Sequence, residues 1–130
     1  MALIDYNNMF SNAQAVTSSV ASTYYIDGRA AGEALNNDIY LIVEVGTEFA
    51  GGTSLEIALQ TSADSSFSSY TTLYDSGVIL LAKLTANTVL VKVPIPIGLL
   101  RYLRVYYTVS GTMTAGTVSA FLQNGVYVGV

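Results

Sequence analysis

The strongest constraint on the fold of this chain is an alternation of apolar and polar residues that recurs from residue 39 onward. In Ile39–Val45 all the odd positions are apolar, and Tyr102–Val109 places Leu103, Val105 and Tyr107 on one face. Alternation with a period of two predicts strands with one buried face, and helical periodicity is scarcely visible. The other predicted strands are 54–62, 71–75, 78–81, 89–93, 118–122 and 126–130, with a first strand near 22–26.

Glycine, serine and asparagine lie between these runs, where a chain must turn. Two predicted short strands flank Ser76-Gly77, and Pro94 and Pro96 mark an edge strand or a crossover, because proline cannot donate a hydrogen bond within a sheet. About eight short strands at this spacing predict an all-β fold, a single antiparallel β-sandwich of the jelly-roll or Greek-key type. The other predicted turns are 51–52, 65–69, 85–87, 94–98, 110–111, 115–116 and 124–125.

The first 23 residues lack this alternation. We interpret residues 1–23 as an N-terminal arm or a first edge segment, and residues 24–130 as the sandwich domain. An arm of this kind is extended or a short helix, and Leu3, Ile4 and Phe10 are its candidate contacts with a neighbouring subunit. The alternative is a tail that folds back along its own sandwich.

The composition is unusual in its charge. Only 11% of the residues are charged, against about 25% in an ordinary soluble domain, and 13 Ser and 13 Thr supply polarity instead. With a mean hydropathy of +0.48, part of this surface is expected to be buried by partners. The net charge of −4 argues against a phosphate-binding surface, so we expect no nucleic-acid partner.

The sequence also excludes or disfavours several kinds of site and of cellular location. Without cysteine or histidine the chain offers no thiol chemistry, no Cys/His zinc site and no disulfide. The most apolar stretch, Val89–Leu103, is interrupted by Lys92, two prolines and Arg101, so we expect no membrane span. The N-terminus has no basic region ahead of an apolar one, so we expect no signal peptide and expect synthesis and folding in a cytoplasm.

Carboxylates are the main groups left for catalysis. Glu44, Glu48 and Glu56 are candidates for a glycosidase pair, yet Glu44 and Glu56 fall on the polar sides of their strands, where solvated carboxylates belong. Asp64 among Ser65, Ser66 and Ser68 resembles a calcium loop, but a turn-capping aspartate explains it better, because one carboxylate falls short of the oxygens that calcium prefers. We expect no enzyme, no metal and no cofactor.

The ten tyrosines indicate a contact surface instead. Tyr102, Arg104 and Tyr106 lie opposite the apolar face of their strand, and Tyr40 and Ile42 lie opposite the apolar residues of theirs. Aromatic residues and arginine are enriched at protein interfaces, because they bury a large area and keep a polar tip. Two alternatives remain: these aromatics lie under a loop or the N-terminal arm, or they stack on sugars, a role that usually also uses tryptophan.

Four segments resemble a known family. They are MALIDYNNMFSNAQAVTSSVAS at 1–22, FAGGTSLEIALQTS at 49–62, SFSSYTTLYDSG at 66–77 and LRYLRVYYTVSGTMTAGTVSAFL at 100–122. In this order they resemble the capsid cement, or decoration, proteins of tailed phages, which are jelly-roll domains. The segment DGRAAGEALNND at 27–38 and the short apolar end at 123–130 depart from that pattern, so the contact made by the C-terminus is open.

The resemblance implies a structural role on the virion. A protein of this family binds the outer surface of the capsid, has the major capsid protein and itself as partners, and bridges shell subunits against the pressure of the packaged DNA. Dimer and trimer are both compatible with the sequence, and the dimer is slightly favoured. A carbohydrate-binding or adhesin-like module on a virion surface is the alternative function.

Overall fold

The computed structural model describes residues 9–27, 39–95 and 100–124, and strands dominate all three ranges. No helix within these ranges is long and apolar enough to cross a membrane. A short 3-10 helix at Leu81–Lys83 follows the sixth strand. The strands are β1 (Met9–Ala15), β2 (Val20–Ala21), β3 (Ile26–Asp27), β4 (Ile39–Val45), β5 (Ser54–Ser62), β6 (Thr71–Leu80), β7 (Val89–Pro94), β8 (Tyr102–Ser110) and β9 (Thr117–Asn124).

These strands form two antiparallel sheets. Sheet I has the order β1-β9-β4-β7, and sheet II has the order β2-β8-β5-β6, with β3 also paired to β8. Since β2 and β3 share one edge of β8, they act as a single interrupted strand. The chain then alternates between the sheets at every step except β5 to β6, which is the connectivity of a jelly roll. The predicted all-β sandwich is confirmed.

The core lies between the inner faces of the two sheets. The alternation predicted for β4, β5 and β8 is confirmed for the core residues of these strands: buried and half-buried positions alternate from Tyr102 to Tyr107 in β8 and from Leu55 to Leu59 in β5. At the end of β5 the polar residues Gln60, Thr61 and Ser62 are buried as well, and in β4 Ile42 is buried on the opposite face. Interleaving apolar side chains from both sheets remove their surface from water, which is the main favourable term in folding. The inner residues of these strands are Leu41, Val43, Val45, Leu55, Ile57, Leu59, Leu103, Val105 and Tyr107.

The N-terminal part of the described chain also belongs to the sandwich. Strand β1 pairs with β9 at the edge of sheet I, and Phe10 and Val16 are fully buried in the core. The prediction that Phe10 contacts a neighbouring subunit is therefore wrong. Register shifts in the β1–β9 pair and a positive φ of 50° at Ala13 interrupt the alternation, which hid this strand in the sequence. The sequence indicates either an N-terminal arm or a first edge segment of the sandwich for residues 1–23. For residues 9–15 the structure favours the edge segment.

Two further predictions differ from the structure, and several fall outside the described residues. The two strands expected around Ser76-Gly77 are one strand, because these residues form a bulge opposite Ile57 in which Gly77 has a φ of +73°. The first strand expected near 22–26 is replaced by the short β2 and β3. Pro94 ends β7 at the edge of sheet I, as expected, while Leu3, Ile4, Pro96 and the strand predicted at 126–130 lie outside the described residues.

A chain of polar groups, buried at Ser11 and Tyr107, joins the two sheets. Ser11 of β1 donates its hydroxyl hydrogen to Gln14 Oε1 at 2.6 Å, so the Tyr107 hydroxyl of β8 donates to Ser11 Oγ at 2.7 Å. Gln14 in turn accepts from the Thr23 amide at 2.8 Å and donates to the carbonyl of Ala21 at 3.0 Å. Burial raises the pKa of the Tyr107 phenol far above its usual range, so the hydroxyl remains a neutral donor.

We predict that Tyr107→Phe lowers the free energy of unfolding by about 1–2 kcal/mol, because Ser11 Oγ then lies in the interior without its donor. Urea unfolding followed by circular dichroism measures this change. Tyr106→Phe is the matched control, since its hydroxyl lies on the outward side of the same strand, and its effect is expected to stay below about 0.5 kcal/mol. Equal losses in the two variants would show that the buried chain does not stabilise the sandwich.

Candidate protein interface

The outward side of sheet II carries the side chains that β8 keeps out of the core. Tyr102, Arg104 and Tyr106 occupy alternate positions on this strand, and each is half-buried. Cross-strand pairing places Gln60 of β5 beside Arg104 and Ala58 beside Tyr106. Three of the predicted interface residues therefore form one row on the outer face of sheet II.

Arg104 lies at the centre of a group of aromatic rings. Its guanidinium carbon is 4.5 Å from the ring centre of Phe67 and 5.4 Å from the ring centres of Tyr70 and Tyr106. Its Nε–H donates to Gln60 Oε1 at 2.7 Å. All three rings lie within the distance at which a cation is attracted to an aromatic face, so the guanidinium is held in one place.

The β5–β6 loop delivers two of these rings. Asp64 accepts hydrogen bonds from the hydroxyl and amide groups of both Ser66 and Ser68, which confirms the prediction of a turn-capping aspartate. The loop brings Phe67 back over the sheet with a φ of +54° and a buried ring. A positive φ is rare for a bulky residue, so the capped loop holds Phe67 in a strained backbone conformation against Arg104.

We predict that Asp64 makes the stability of this loop depend on pH. Hydrogen bonds from Ser66 and then Ser68 lower the pKa of Asp64 from 3.8 to about 2. A carboxyl whose pKa is lower in the folded state stabilises the fold at pH values above its unfolded pKa, and this contribution is lost as the pH falls toward the folded value. The melting temperature of the native protein should therefore fall between pH 4 and pH 2 more steeply than that of Asp64→Asn.

Glu48→Gln is the control for this pH series, because Glu48 is an exposed carboxylate in a different loop. Its curve should follow that of the native protein. If Asp64→Asn also follows the native curve, the hydrogen bonds of the loop do not stabilise it.

Tyr25, in the segment between β2 and β3, extends the row of outward side chains at its Tyr102 end. Its ring makes edge contacts with Tyr102 and Phe67, at centre distances of 5.4 and 6.4 Å. Arg101 lies over Tyr102 at 5.0 Å and makes a two-pronged ion pair with Asp27, with N–O distances of 2.8 and 3.1 Å. We call this surface the tyrosine–arginine patch; it consists of Tyr25, Phe67, Tyr70, Tyr102, Arg104 and Tyr106.

The outer face of sheet I is different, and it corrects one prediction. Ile42 pairs across the strands with Phe121, which in turn pairs with Met9, and each is only 5–6% exposed. Tyr40 is half-buried and packs against this apolar row. The assignment of Ile42 as an interface residue is therefore wrong, since its side chain is already buried within this chain. Tyr40 and Tyr102–Tyr106 lie on opposite faces of the sandwich.

The candidate carboxylates do not come together. Glu44 lies on sheet I, Glu56 on the outer face of sheet II, and Glu48 in an exposed loop. A hydrogen bond with Asp75, then the charge of Asp75, raise the pKa of Glu56. This pair lies on the outer face of the sheet, and within the described ranges no three acidic or other metal-ligating side chains are close enough to hold a metal ion.

Sequence reasoning missed Tyr25, Phe67 and Tyr70 as members of the patch. A signal was present for Phe67 and Tyr70, which lie in or next to the serine-rich turn predicted at 65–69, since an aromatic ring in a polar loop needs a surface to lie on. It also missed Val78 and Leu80 on the edge strand β6, which are 66% and 57% exposed. The bulge at Ser76-Gly77 shifts the alternation there, so the outward direction of these two side chains was not visible.

The protein is thus an all-β jelly-roll domain, and the tyrosine–arginine patch on the outer face of sheet II is a preformed aromatic surface. The chain belongs to the Bbp16 family, whose model matches residues 10–122. No curated protein matches the sequence.

Proposed function

We propose that this protein is a structural virion protein, a capsid cement or decoration protein that binds the outer surface of a phage capsid. In this role it contacts the major capsid protein and further copies of itself, stabilises the shell by bridging its subunits, and carries out no catalysis. The proposal is supported by the resemblance of the four sequence segments, by the jelly-roll topology and by the character of the outer face of sheet II.

The tyrosine–arginine patch is the observation that carries this proposal. Aromatic and arginine side chains dominate the binding energy of protein interfaces, above all where they form a cluster with restricted motion. Tyr25 packs on the ring of Tyr102 and Tyr70 lies beside the guanidinium of Arg104, yet both tyrosines remain about half exposed, so they still have area to bury against a partner. A surface with this much aromatic area gains more from contact with another protein than from exposure to water.

The low charge of the chain supports repeated docking on a shell. Burying an ion removes it from water at a large cost in free energy, whereas hydroxyl groups and rings are buried more easily. Contacts repeated over a closed shell reinforce one another, so each single interface can be modest in size. Ser and Thr residues in place of charged ones therefore fit a protein that acts in many copies.

Carbohydrate binding is the second candidate, and Tyr24, Tyr25 and Tyr70 favour it because each ring is about half exposed. A sugar stacks on a free ring face. Arg104, however, already lies over the rings of Phe67, Tyr70 and Tyr106. A glycan array separates the two functions: no hits and no shift in melting temperature with sugars would remove this candidate.

The proposed function is tested with capsid shells that lack this protein. The purified domain is added, binding is measured by co-sedimentation, and the rupture of the shell is followed by heating. We expect saturable binding and a higher rupture temperature. A domain that stays in the supernatant and leaves the rupture temperature unchanged is not a cement protein for that shell.

We predict that Tyr106→Ala weakens shell binding at least about fivefold while the domain remains folded, because it truncates a ring of the contact face. Thr108→Ala is the matched control at the next outward position of β8, and its effect should be small. Co-sedimentation gives the affinities, and urea unfolding checks the fold. If Tyr106→Ala destabilises the domain as much as Val105→Ala does in the core, the outward role of Tyr106 is wrong.

A further inference from the structure

Arg104 is held firmly, yet most of its hydrogen-bonding capacity is unused. A guanidinium has five N–H donors, and within the described parts of the chain only Nε–H has an acceptor, Gln60 Oε1 at 2.7 Å. The four donors on the two terminal nitrogens are left for another group. Aromatic faces attract the charge but do not replace a planar acceptor with two oxygens.

The surroundings of Arg104 fix its direction at a structural cost. Phe67 adopts a positive φ to place its ring 4.5 Å from the guanidinium, and Asp64 caps the loop that holds it there. Strain of this kind persists where the surrounding structure enforces it, and it concentrates at binding sites. A preformed arginine loses less conformational freedom on binding than one on a flexible surface.

The neighbouring Arg101 provides a comparison, because its guanidinium already binds a carboxylate of this chain. Its guanidinium is paired with both oxygens of Asp27. Arg104 has no such partner in the described residues: Asp64 is bound to its own loop, and Asp75 interacts with Glu56. Within the described residues, therefore, the two terminal nitrogens of Arg104 have no carboxylate to bind.

We propose that Arg104 is the anchor of the tyrosine–arginine patch and that it receives a carboxylate from an aspartate or glutamate of the capsid shell subunit. This inference rests on the proposed function and names the chemistry of the partner. The two terminal nitrogens offer a planar fork that matches the two carboxylate oxygens, while the surrounding rings exclude water from the pair.

The first test compares Arg104→Gln, Arg104→Lys and Arg101→Gln in co-sedimentation with shells that lack the protein. Arg104→Gln should weaken binding about 30-fold or more, as expected for an interface anchor. Arg104→Lys keeps the charge but loses the fork, so an intermediate loss is expected. Arg101→Gln, the matched control, should change binding less than about threefold, because Arg101 already has its carboxylate.

The second test removes the proposed partner groups from the shell. Surface carboxylates are converted to amides with a carbodiimide and ethanolamine, and electron microscopy selects intact shells. Binding of the native protein should fall to the level of Arg104→Gln, while binding of Arg104→Gln itself should not change. If the native protein binds amidated shells as well as untreated ones, the carboxylate is not the partner of Arg104.

The outcomes separate this inference from the proposed function. A native protein that fails to bind any shell overturns both. A native protein that binds, together with an Arg104→Gln variant of equal affinity, overturns the inference alone. Should Arg104→Gln be misfolded by circular dichroism, Arg104→Lys and Gln60→Ala replace it, and unchanged binding in both of these variants overturns the inference.

Discussion

The packing of two sheets around one apolar core decides which side chains of the described strands point inward. Because β8 contributes Leu103, Val105 and Tyr107 to that core, the residues between them have no place except the outer face of sheet II. The tyrosine–arginine patch is thus a consequence of the core, and a shift of β8 by one residue in its pairing would turn Tyr102 and Tyr106 inward. On its inner side β8 is also joined to β1 by the hydrogen bond between Tyr107 and Ser11. The strand that carries Tyr102, Arg104 and Tyr106 outward is therefore held in place from within.

Besides the core contacts of β8, the β5–β6 loop also makes the outer face of sheet II rigid. Asp64 organises this loop with serine donors, and the loop then places Phe67 and Tyr70 beside Arg104. A chain with few charges thereby positions one of its cations without pairing it to a carboxylate among the described residues. The outer face of sheet I has no comparable arrangement in the described chain; its apolar row of Met9, Ile42 and Phe121 is already buried. For these reasons sheet II is the side on which we place the partner.

Local pattern predicted much of the fold and less of the site. The bounds of β4 and β5 agree with the alternation in the sequence, and β8 exceeds its predicted run by one residue, because regular strands keep a period of two. Strands β1 and β6 were mispredicted where bulges add residues and break that period. Arg104 and Tyr106 were placed correctly on an outer face, but their contacts with Phe67 and Tyr70 depend on a loop that returns over the sheet. Such contacts join residues distant in sequence, so no local pattern reveals them.

The central claim, that the tyrosine–arginine patch is covered in the assembled particle, is tested most directly by hydroxyl-radical footprinting read by mass spectrometry. Free and shell-bound protein are oxidised in parallel, and the modification of each tyrosine is compared. We expect Tyr25 and Tyr70 to lose most of their reactivity on the shell, while Tyr40 on the opposite face changes little. Protection of Tyr40, with Tyr25 and Tyr70 as reactive as in the free protein, would contradict it.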